Sequence, residues 1–327
     1  MTGAASGLSD AAIARLRHLG TWPEFESGRY TVLEELGRGG MGTVYLARDE
    51  ELGREVAIKI PNALSNTSLD RRLQVEARAL ASLEHPGIVP IHDAGRLADG
   101  RLFYVMKRVQ GRTLRRYLEE VQDTGSRLGV FERICDPVAF AHARGVIHRD
   151  LKPENVMVGA FGDVMVMDWG GARAASGATE VRLQPDAIDE DNLVIGTHGF
   201  MAPEQTRAAA SLDHRADVYS LGAILFLLLT SDIPGTDIGA ALRRAGVPRP
   251  LAAICARALS PDPADRYSTA AALGDDLARY RAGLAVQAYR ESFLERAVRF
   301  ERTHRTAILL ILAYVIMRAA VAIFAGW

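Results

Sequence analysis

The sequence predicts an α+β protein in which a small β-rich unit precedes a larger helical unit. Five runs between residues 30 and 109 alternate apolar and polar side chains or gather β-branched residues, as β-strands do. Beyond Gly111 the apolar spacing is mainly helical, and the helix at residues 216–230 is so uniformly apolar that it must be buried. A second strongly apolar stretch, residues 307–327, nearly has the length of a bilayer-spanning helix.

Length and charge narrow the classes of function. The chain has 327 residues, enough for one large domain or two smaller ones. Its 39 basic and 40 acidic residues give a formal net charge of -1, which argues against a nucleic-acid partner because such proteins usually carry a basic excess. Cys135 and Cys255 are far apart in apolar helical contexts, so we expect reduced core thiols of a cytoplasmic protein.

The β-rich unit is predicted to contain five strands and one helix. The strands cover residues 30–37, 43–49, 55–60, 88–97 and 102–109. The helix covers residues 69–83, and its apolar face would carry Leu69, Leu73, Glu76 and Leu80. Before this unit, residues 1–29 form an extension with a short helix at 9–19. That extension lacks the continuous apolar core of a signal peptide.

The helical unit is predicted from five periodic segments. They cover residues 113–121, 129–145, 216–230, 250–260 and 268–283. Between them lie two irregular segments. The first, "VIHRDLKPENVMV" at 146–158, is a loop dense in charge and flanked by short strands. The second, residues 171–199, has no periodicity, and loops of that length are more often functional than structural filler.

A glycine pattern joins the first two strands. Gly37, Gly39 and Gly42 fit G-x-G-x-x-G, in which backbone N–H groups can approach phosphate oxygens closely. Alone the pattern fits a simple glycine hairpin equally well. A dinucleotide-binding turn is excluded because a strand containing Val44 and Tyr45 follows, where that motif needs a helix.

Five polar residues could cooperate in phosphate chemistry. If Lys59 points into a cleft, it can hold phosphate oxygens, and Glu76 can hold Lys59; otherwise both are ordinary surface groups. Asp150, Asn155 and Asp168 offer hard oxygen ligands that suit Mg²⁺ with its waters and substrate phosphates. One carboxylate would remain to accept a proton from an attacking hydroxyl.

Six stretches occur in one order along the chain, namely GRGGMGTV, VAIK, HRDLKPEN, DWG, GTHGFMAPE and DVYSLG. From about Tyr30 to about Gly283 the chain therefore resembles the eukaryotic-like (Hanks-type) serine/threonine protein kinases of bacteria. The resemblance implies a bilobal protein-kinase-like fold, with an N-lobe at 30–109 and a C-lobe at 110–283. It also implies an enzyme that uses ATP and Mg²⁺, or Mn²⁺ in its place, to phosphorylate Ser or Thr hydroxyls of proteins.

The same resemblance implies roles for the charged residues. Asp150 would be the catalytic base or would orient the hydroxyl, and Lys152 would contact the γ-phosphate and favour Ser/Thr substrates. Asn155 and Asp168 would hold the metal. Lys59 would hold the α- and β-phosphates, paired with Glu76. The predicted nucleotide-binding positions are Leu36, Gly37, Gly39, Gly42, Val44, Ala57, Lys59, Met106, Lys107, Val109 and Met157.

Within that nucleotide site the resemblance assigns further contacts. Val44, Ala57 and Met157 would sandwich the adenine, and Met106 would lie at the back of the pocket. The backbone of 107–109, which we call the hinge, would hydrogen-bond the base. Outside the pocket, two more contacts are implied: an ion pair of Glu204 with Arg266, and support of the catalytic-loop backbone (His148–Asn155) by Asp217.

The chain departs from the family pattern in three places. Trp169 replaces the usual Phe of Asp-Phe-Gly, but it is still a large apolar wedge. The hinge reads KRV where acidic and aromatic residues are common. The segment 231–250 is short and rich in Gly and Pro, which puts the docking of protein substrates in doubt.

Activation could follow either of two routes. Arg149 could pair with a phosphate on Ser176 or Thr179, or with the built-in carboxylates of residues 186–191. A solvated acidic loop is an equally simple interpretation.

Two other functions stay open: an ATP-binding pseudokinase or scaffold, and a small-molecule phosphotransferase. The stretch GTHGFMAPE argues against the second of these because it is typical of a peptide groove.

The C-terminal region is predicted to meet a membrane. Residues 284–306 contain an arginine-rich amphipathic helix, which favours a cytoplasmic kinase domain anchored in the cell membrane by a single pass at 307–327. Arg318 opposes insertion of this helix, because an arginine at the middle of a membrane span costs about 2.5–3.5 kcal/mol on insertion scales. It would face a partner helix, which suggests a homodimer, or snorkel to the interface. The alternative is a helical hairpin or an interfacial helix that does not cross.

Overall fold

In the computed structural model the β-rich lobe is built on a five-stranded antiparallel sheet. The structure describes residues 23, 25, 28–39, 42–62, 73, 74, 76–78, 80–169, 173, 174, 199–206 and 212–325. The strands pair in the order β1-β2-β3-β5-β4. Their bounds are β1 Tyr30–Arg38, β2 Thr43–Asp49, β3 Arg54–Ile60, β4 Ile91–Arg96 and β5 Leu102–Lys107.

All five predicted strands are present, with small differences at their ends. β4 begins at Ile91 and not at 88. Pro90 precedes it and has no N–H to donate to a ladder, so the strand begins after it. The Pro90 carbonyl instead accepts from the Lys107 N–H at 3.1 Å, at the last residue of β5.

The two faces of the sheet bury different sets of side chains. Successive residues of β3 and β5 point to opposite faces, as the period of a strand requires. Val56, Ile58 and Val105 pack into a small core behind the sheet. Ala57, Tyr104 and Met106 alternate with them and join the large core that continues into the other lobe. This second face is the one that Lys59 shares.

The predicted helix between β3 and β4 is described only in part. Residues 73, 74, 76–78, 80 and 81 are helical. Leu73, Glu76 and Leu80 are all buried, so the face predicted for them is confirmed. Leu69 and the short helix predicted at 9–19 lie outside the described residues.

The second lobe is mainly helical, as predicted. Two small sheets accompany its helices, one ordered β6-β8-β9 and one pairing β7 with β10. The helices are α1 Leu114–Glu120, α2 Thr124–Ala143, α3 Pro203–Thr206, α4 Arg215–Thr230, α5 Ile238–Arg244, α6 Arg249–Ala258 and α7 Ala270–Arg281. The short strands are β6 Arg112–Thr113, β7 Val146–Ile147, β8 Val156–Val158, β9 Val164–Val166 and β10 Arg173–Ala174.

Helix α2 starts earlier than the sequence predicted. The prediction of a start at 129 is wrong because the Asp123 side chain caps the helix by accepting from the Ser126 N–H at 2.7 Å, so Thr124 begins it. Helix α4 is buried from Ala216 to Leu228 with one exception, as its apolar sequence requires. Cys135 and Cys255 are both buried and unbridged, which confirms the predicted thiols.

Segment 231–250 contains one short helix, the seven-residue α5, before α6 begins at Arg249. After α7, the C-terminal region forms one continuous helix, α8 Phe293–Ala325, where two segments were predicted. It begins after Ser292, inside the predicted segment 284–306, because Ser292 and Glu295 cap it reciprocally. The Glu295 N–H donates to Ser292 Oγ at 3.3 Å, and the Ser292 N–H donates to Glu295 Oε2 at 2.8 Å.

The transmembrane prediction is not confirmed. Over the stretches of chain that the structure describes, none of the helices combines the length and the apolar character needed to cross a bilayer.

Candidate active site

Strands β3 and β5 place the first site residues side by side. In their antiparallel register Ala57 lies opposite Met106, and Lys59 lies opposite Tyr104. Residues directly opposite in such a pair have their side chains on the same face, about 5 Å apart at Cβ. All four side chains are buried. The register therefore gathers these four side chains on the face of the sheet that continues into the large core.

Lys59 bridges two carboxylates. Its Nζ lies 2.8 and 3.0 Å from the two oxygens of Glu76 and 2.7 Å from Oδ1 of Asp168. The Lys59 and Glu76 side chains are almost fully buried, whereas 44% of the Asp168 side chain is exposed. The predicted Lys59–Glu76 contact is therefore present, and the Asp168 side chain stays partly exposed to solvent.

The charges of this triad depend on one another. Burial alone would lower the pKa of Lys59, but the charges of Glu76 and Asp168 raise it above its ordinary value. Burial raises the pKa of Glu76, and Lys59 opposes that rise. Burial would also raise the pKa of Asp168, but Lys59 outweighs it and lowers that pKa. Lys59 thus stays protonated and Asp168 stays ionised.

The backbone at Asp168 is held in an unusual conformation. Its φ is 55°, a left-handed value that costs energy in residues other than glycine. The next residue, Trp169, is fully buried, with its ring centroid 4.6 Å from that of His148. Its indole N–H donates to the Val166 carbonyl at 3.4 Å. Trp169 therefore occupies the position of an apolar wedge and anchors the carboxylate beside it.

The catalytic loop gathers two predicted residues, Lys152 and Asn155, around the carboxylate of Asp150. Lys152 Nζ lies 2.7 Å from Asp150 Oδ2. The Asn155 amide nitrogen donates to the Asp150 carbonyl at 2.8 Å and to Asp150 Oδ2 at 3.2 Å. The Asn155 carbonyl accepts from the Met167 N–H at 2.8 Å, one residue before Asp168. These bonds connect the two candidate metal ligands through the backbone and engage the Asn155 side chain through its nitrogen, not its amide oxygen.

Asp217 holds the backbone of the catalytic loop in place. Its carboxylate is buried and accepts from the backbone N–H groups of His148 and Arg149, both at 2.8 Å. His142 Nε2 lies 2.7 Å from the same carboxylate. Burial alone would raise the pKa of Asp217, but these partners lower it, so the group is ionised. The contact implied for Asp217 is present, and it holds Arg149 at a left-handed φ of 69°.

A second implied ion pair is also present. Arg266 donates both Nη groups to Glu204, at 2.6 and 2.8 Å, in the bidentate geometry that arginine favours. Its remaining donors reach backbone carbonyls, among them that of Ser260 at 2.8 Å. The pair joins α3 to the end of the α6–α7 connection and so fixes the chain beside the catalytic loop.

The glycine loop has one position where only glycine fits. A Cβ on Gly42 would lie 2.5 Å from the Ile60 carbonyl oxygen, whereas one on Gly37 would meet nothing within 4 Å. The Gly39 N–H donates to the Gly42 carbonyl at 2.9 Å. Sequence reasoning missed Asn62, which donates to the Gly39 carbonyl at 2.7 Å and accepts from the Thr43 hydroxyl. Gly40 and Met41 lie outside the described residues.

The other nucleotide-binding predictions fall into two groups. Ala57 and Met106 are buried, and Val44, Val109 and Met157 are half-buried, as expected for a pocket lining. Leu36 and Lys107 are exposed, with Leu36 at 48%. The structure places these residues, but their roles stay predictions. The same holds for Arg149, because Ser176, Thr179 and residues 186–191 lie outside the described residues.

The donor set fits a metal that also needs phosphate ligands. Among the described residues no group of three or more His, Cys, Asp or Glu side chains could hold a metal. Asn155 and Asp168 offer one amide oxygen and one carboxylate. Mg²⁺ is typically held by one or two such oxygens together with waters and substrate phosphates, so these residues fit it.

Comparison with known proteins agrees with this geometry. A family described as the protein kinase domain matches residues 30–277. Serine/threonine-protein kinase PknB of Mycobacterium tuberculosis is 37% identical over 285 residues, covering 80% of this chain and 44% of the relative. Serine/threonine-protein kinase PknD of Chlamydia felis is 33% identical over 293 residues, covering 78% and 31%. The chain spans less than half the length of these relatives.

The match and the site coincide. The matched residues include the Lys59–Glu76–Asp168 triad, the catalytic loop and the Glu204–Arg266 pair. The resemblance to bacterial eukaryotic-like kinases is thereby confirmed, and the chain belongs to the protein kinase domain family.

Proposed function

We propose that the chain is an ATP- and Mg²⁺-dependent serine/threonine protein kinase that transfers the γ-phosphoryl group of ATP to protein hydroxyls. One observation carries the proposal. Lys59 contacts Glu76 and Asp168 at the same time, at 2.7 to 3.0 Å. A phosphate-binding cation and a metal-binding carboxylate are therefore already aligned, which suits a reaction that depends on positioning and charge.

Each charged residue would act at a defined part of the substrate. Lys59 would share its protons between Glu76 and the α- and β-phosphates of ATP. Asp168 and the amide oxygen of Asn155 would hold Mg²⁺, which when bound neutralises charge on the transferring phosphates. Lys152, which lies 2.7 Å from Asp150, would turn its ammonium towards the γ-phosphate.

Asp150 would accept the proton of the attacking hydroxyl. Oδ2 of Asp150 contacts the side chains of both Lys152 and Asn155. Oδ1 can therefore face the hydroxyl, while the two donors hold the carboxylate in one rotamer. Ser/Thr specificity is supported by Lys152 two residues after Asp150, and by the similarity to the serine/threonine-protein kinases PknB and PknD.

The test is a transfer assay on the full chain. Purified protein is incubated with γ-labelled ATP and Mg²⁺, with and without a generic basic protein, and labelled residues are identified after acid hydrolysis. We expect label on Ser or Thr, in the chain itself and in the added protein, and none with EDTA present. ATP binding without transfer would instead favour the pseudokinase, and label only on small molecules would favour the phosphotransferase.

We also propose that α8 associates with the cytoplasmic side of the cell membrane. Its support is an exposed apolar surface that runs around the helix. The exposed side chains are Ile308, Leu309, Leu310, Ile311, Leu312, Tyr314, Val315, Ile316, Met317 and Val321. Large apolar surfaces of this kind mark contact sites. The homodimer suggested by Arg318 stays a prediction.

Cell fractionation tests the membrane proposal. We expect the full chain to remain with membranes in high salt, and Ile311→Lys to weaken retention because a charge there would interrupt the apolar surface that contacts the lipid. The matched control is Leu52→Lys, since Leu52 in the β2–β3 turn is 59% exposed and Ile311 is 63% exposed. Release of the unaltered chain by high salt, or equal effects of both substitutions, would contradict the proposal.

A further inference from the structure

A tyrosine that no motif includes contacts the centre of the site. The Tyr104 hydroxyl donates to Glu76 Oε1 at 2.7 Å. Only 1% of each residue's surface is exposed. Glu76 thus has three hydrogen bonds on two oxygens, two from Lys59 and one from Tyr104. A carboxylate this deeply buried needs such donors, because an unsatisfied charge would be costly.

The sheet register explains why both donors reach the same carboxylate. Tyr104 of β5 lies directly opposite Lys59 of β3, so the two side chains leave the sheet on one face. Glu76 lies on the helix between β3 and β4 and contacts both side chains. Lys59 of β3 and Tyr104 of β5 therefore both donate to the carboxylate of one helix residue, Glu76.

We infer that Tyr104 is a positioning residue, which holds Glu76 against Lys59 and thereby sets Lys59 for the phosphates of ATP. The inference rests on the proposed function. Lys59 also contacts Asp168, at 2.7 Å, and must turn in part to the phosphates when nucleotide binds. Tyr104 has no such second task, so its bond can keep Glu76 in place while Lys59 shares its protons.

The chemistry of Tyr104 suits this task. Burial raises the pKa of its hydroxyl well above the ordinary value, so the group remains a neutral donor. A tyrosine ring has few rotatable bonds, and this one belongs to the large core together with Met106. The donor is therefore fixed to β5, three residues before the predicted hinge, and links the position of the helix to the strand that leads to the adenine site.

If Tyr104 were purely structural, its loss should affect stability but not catalysis. Another buried tyrosine of the chain allows this comparison. Tyr267 is 1% exposed and donates to Asp276 Oδ2 at 2.7 Å in the C-lobe. Tyr104→Phe and Tyr267→Phe each remove one buried hydroxyl from one carboxylate. Any effect on stability alone should therefore be similar in the two variants.

The experiment compares both variants in the full chain. We expect Tyr104→Phe to lower kcat/KM for ATP about tenfold, the loss typical of a hydrogen bond to a charged group, with KM for the protein substrate unchanged. Tyr267→Phe should leave both constants unchanged. Far-UV circular dichroism establishes that each variant is folded. Equal kcat/KM for ATP in Tyr104→Phe and in the unaltered chain would overturn the inference.

A double-mutant cycle tests whether Tyr104 acts through Glu76. The affinity for a non-hydrolysable ATP analogue with Mg²⁺ is measured in Tyr104→Phe, Glu76→Gln and the double variant. We expect the effect of Tyr104→Phe to disappear in the Glu76→Gln background, since neighbours in one network are not additive. Additive effects would contradict the inference. This measurement needs no phosphoryl transfer, so an inactive chain would contradict only the proposed function.

Discussion

Replacing Lys59 with methionine is expected to reduce phosphoryl transfer to background. The ammonium that contacts Glu76 and Asp168 would be lost, and with it the cation proposed to hold the ATP phosphates. Removing a group that stabilises charge in the transition state typically costs about 10²–10³-fold in kcat, and here the alignment of Asp168 is lost as well. The measurement is kcat with saturating ATP and protein substrate.

The same substitution should also destabilise the fold. Breaking a buried ion pair from one side typically costs about 3–5 kcal/mol. Glu76 would then be buried opposite methionine, and because burial raises its pKa, it should take up a proton at low pH. A raised pKa in the folded state means that stability falls as pH rises through that pKa. We therefore expect Lys59→Met to lose more stability at pH 8 than at pH 5.

Two further variants make this result specific. Lys59→Met combined with Glu76→Gln should recover much of the stability, since no buried charge remains, but none of the activity. Arg54→Met removes an exposed cation from the first residue of β3 and should leave activity unchanged. Full transfer by Lys59→Met, or the same stability loss in the double variant, would contradict the roles given to the triad.

Replacing Asp150 with alanine is expected to lower kcat by about 10²–10⁴-fold, the usual contribution of a positioned general base. The affinity for ATP should change little, because Lys59 and Asp168 belong to other elements. Loss of the carboxylate also frees Lys152, which lies 2.7 Å from Asp150 Oδ2, to contact phosphate. Single-turnover transfer and nucleotide binding, measured on the same protein, separate these two effects.

The matched control for Asp150 is another aspartate of the same lobe. Asp163 is exposed on the β8–β9 turn, so Asp163→Ala should keep full activity. If Asp150→Ala retains the full rate with unchanged metal dependence, Asp150 is not the proton acceptor. If both variants lose activity equally, the effect comes from the fold of the lobe and not from the carboxylate.

Much of the fold could be predicted because its signals are local. Alternation within each strand predicts β1 and β2, an apolar run with β-branched residues predicts β3, and a uniformly apolar sequence predicts α4. The errors occurred where a single side chain decides an end. Asp123 extends α2 by five residues, and Ser292 with Glu295 places the start of α8. Such caps depend on geometry that composition does not show.

The identities of the site residues were also available from the chain alone, once the resemblance was recognised. Motifs assign Lys59, Glu76, Asp150, Asn155 and Asp168 because the same chemistry needs the same residue types in the same order. No motif includes Tyr104 or Asn62. Tyr104 lies inside the strand predicted at 102–109, and Asn62 lies just after the strand predicted at 55–60. Side chains alternate between the two faces of a strand, so the two-residue spacing in β5 could have shown that Tyr104 shares the face of Met106.

The sequence by itself determined the lobe order, the strands, most helices and the set of charged residues that the chemistry requires. Only the tertiary structure decided which of those residues meet. Lys59 and Tyr104 are 45 residues apart along the chain, and the β3–β5 register brings them opposite each other. The bond from Lys59 to Asp168 spans 109 residues. Such contacts depend on the packing of whole elements, which local propensity does not encode.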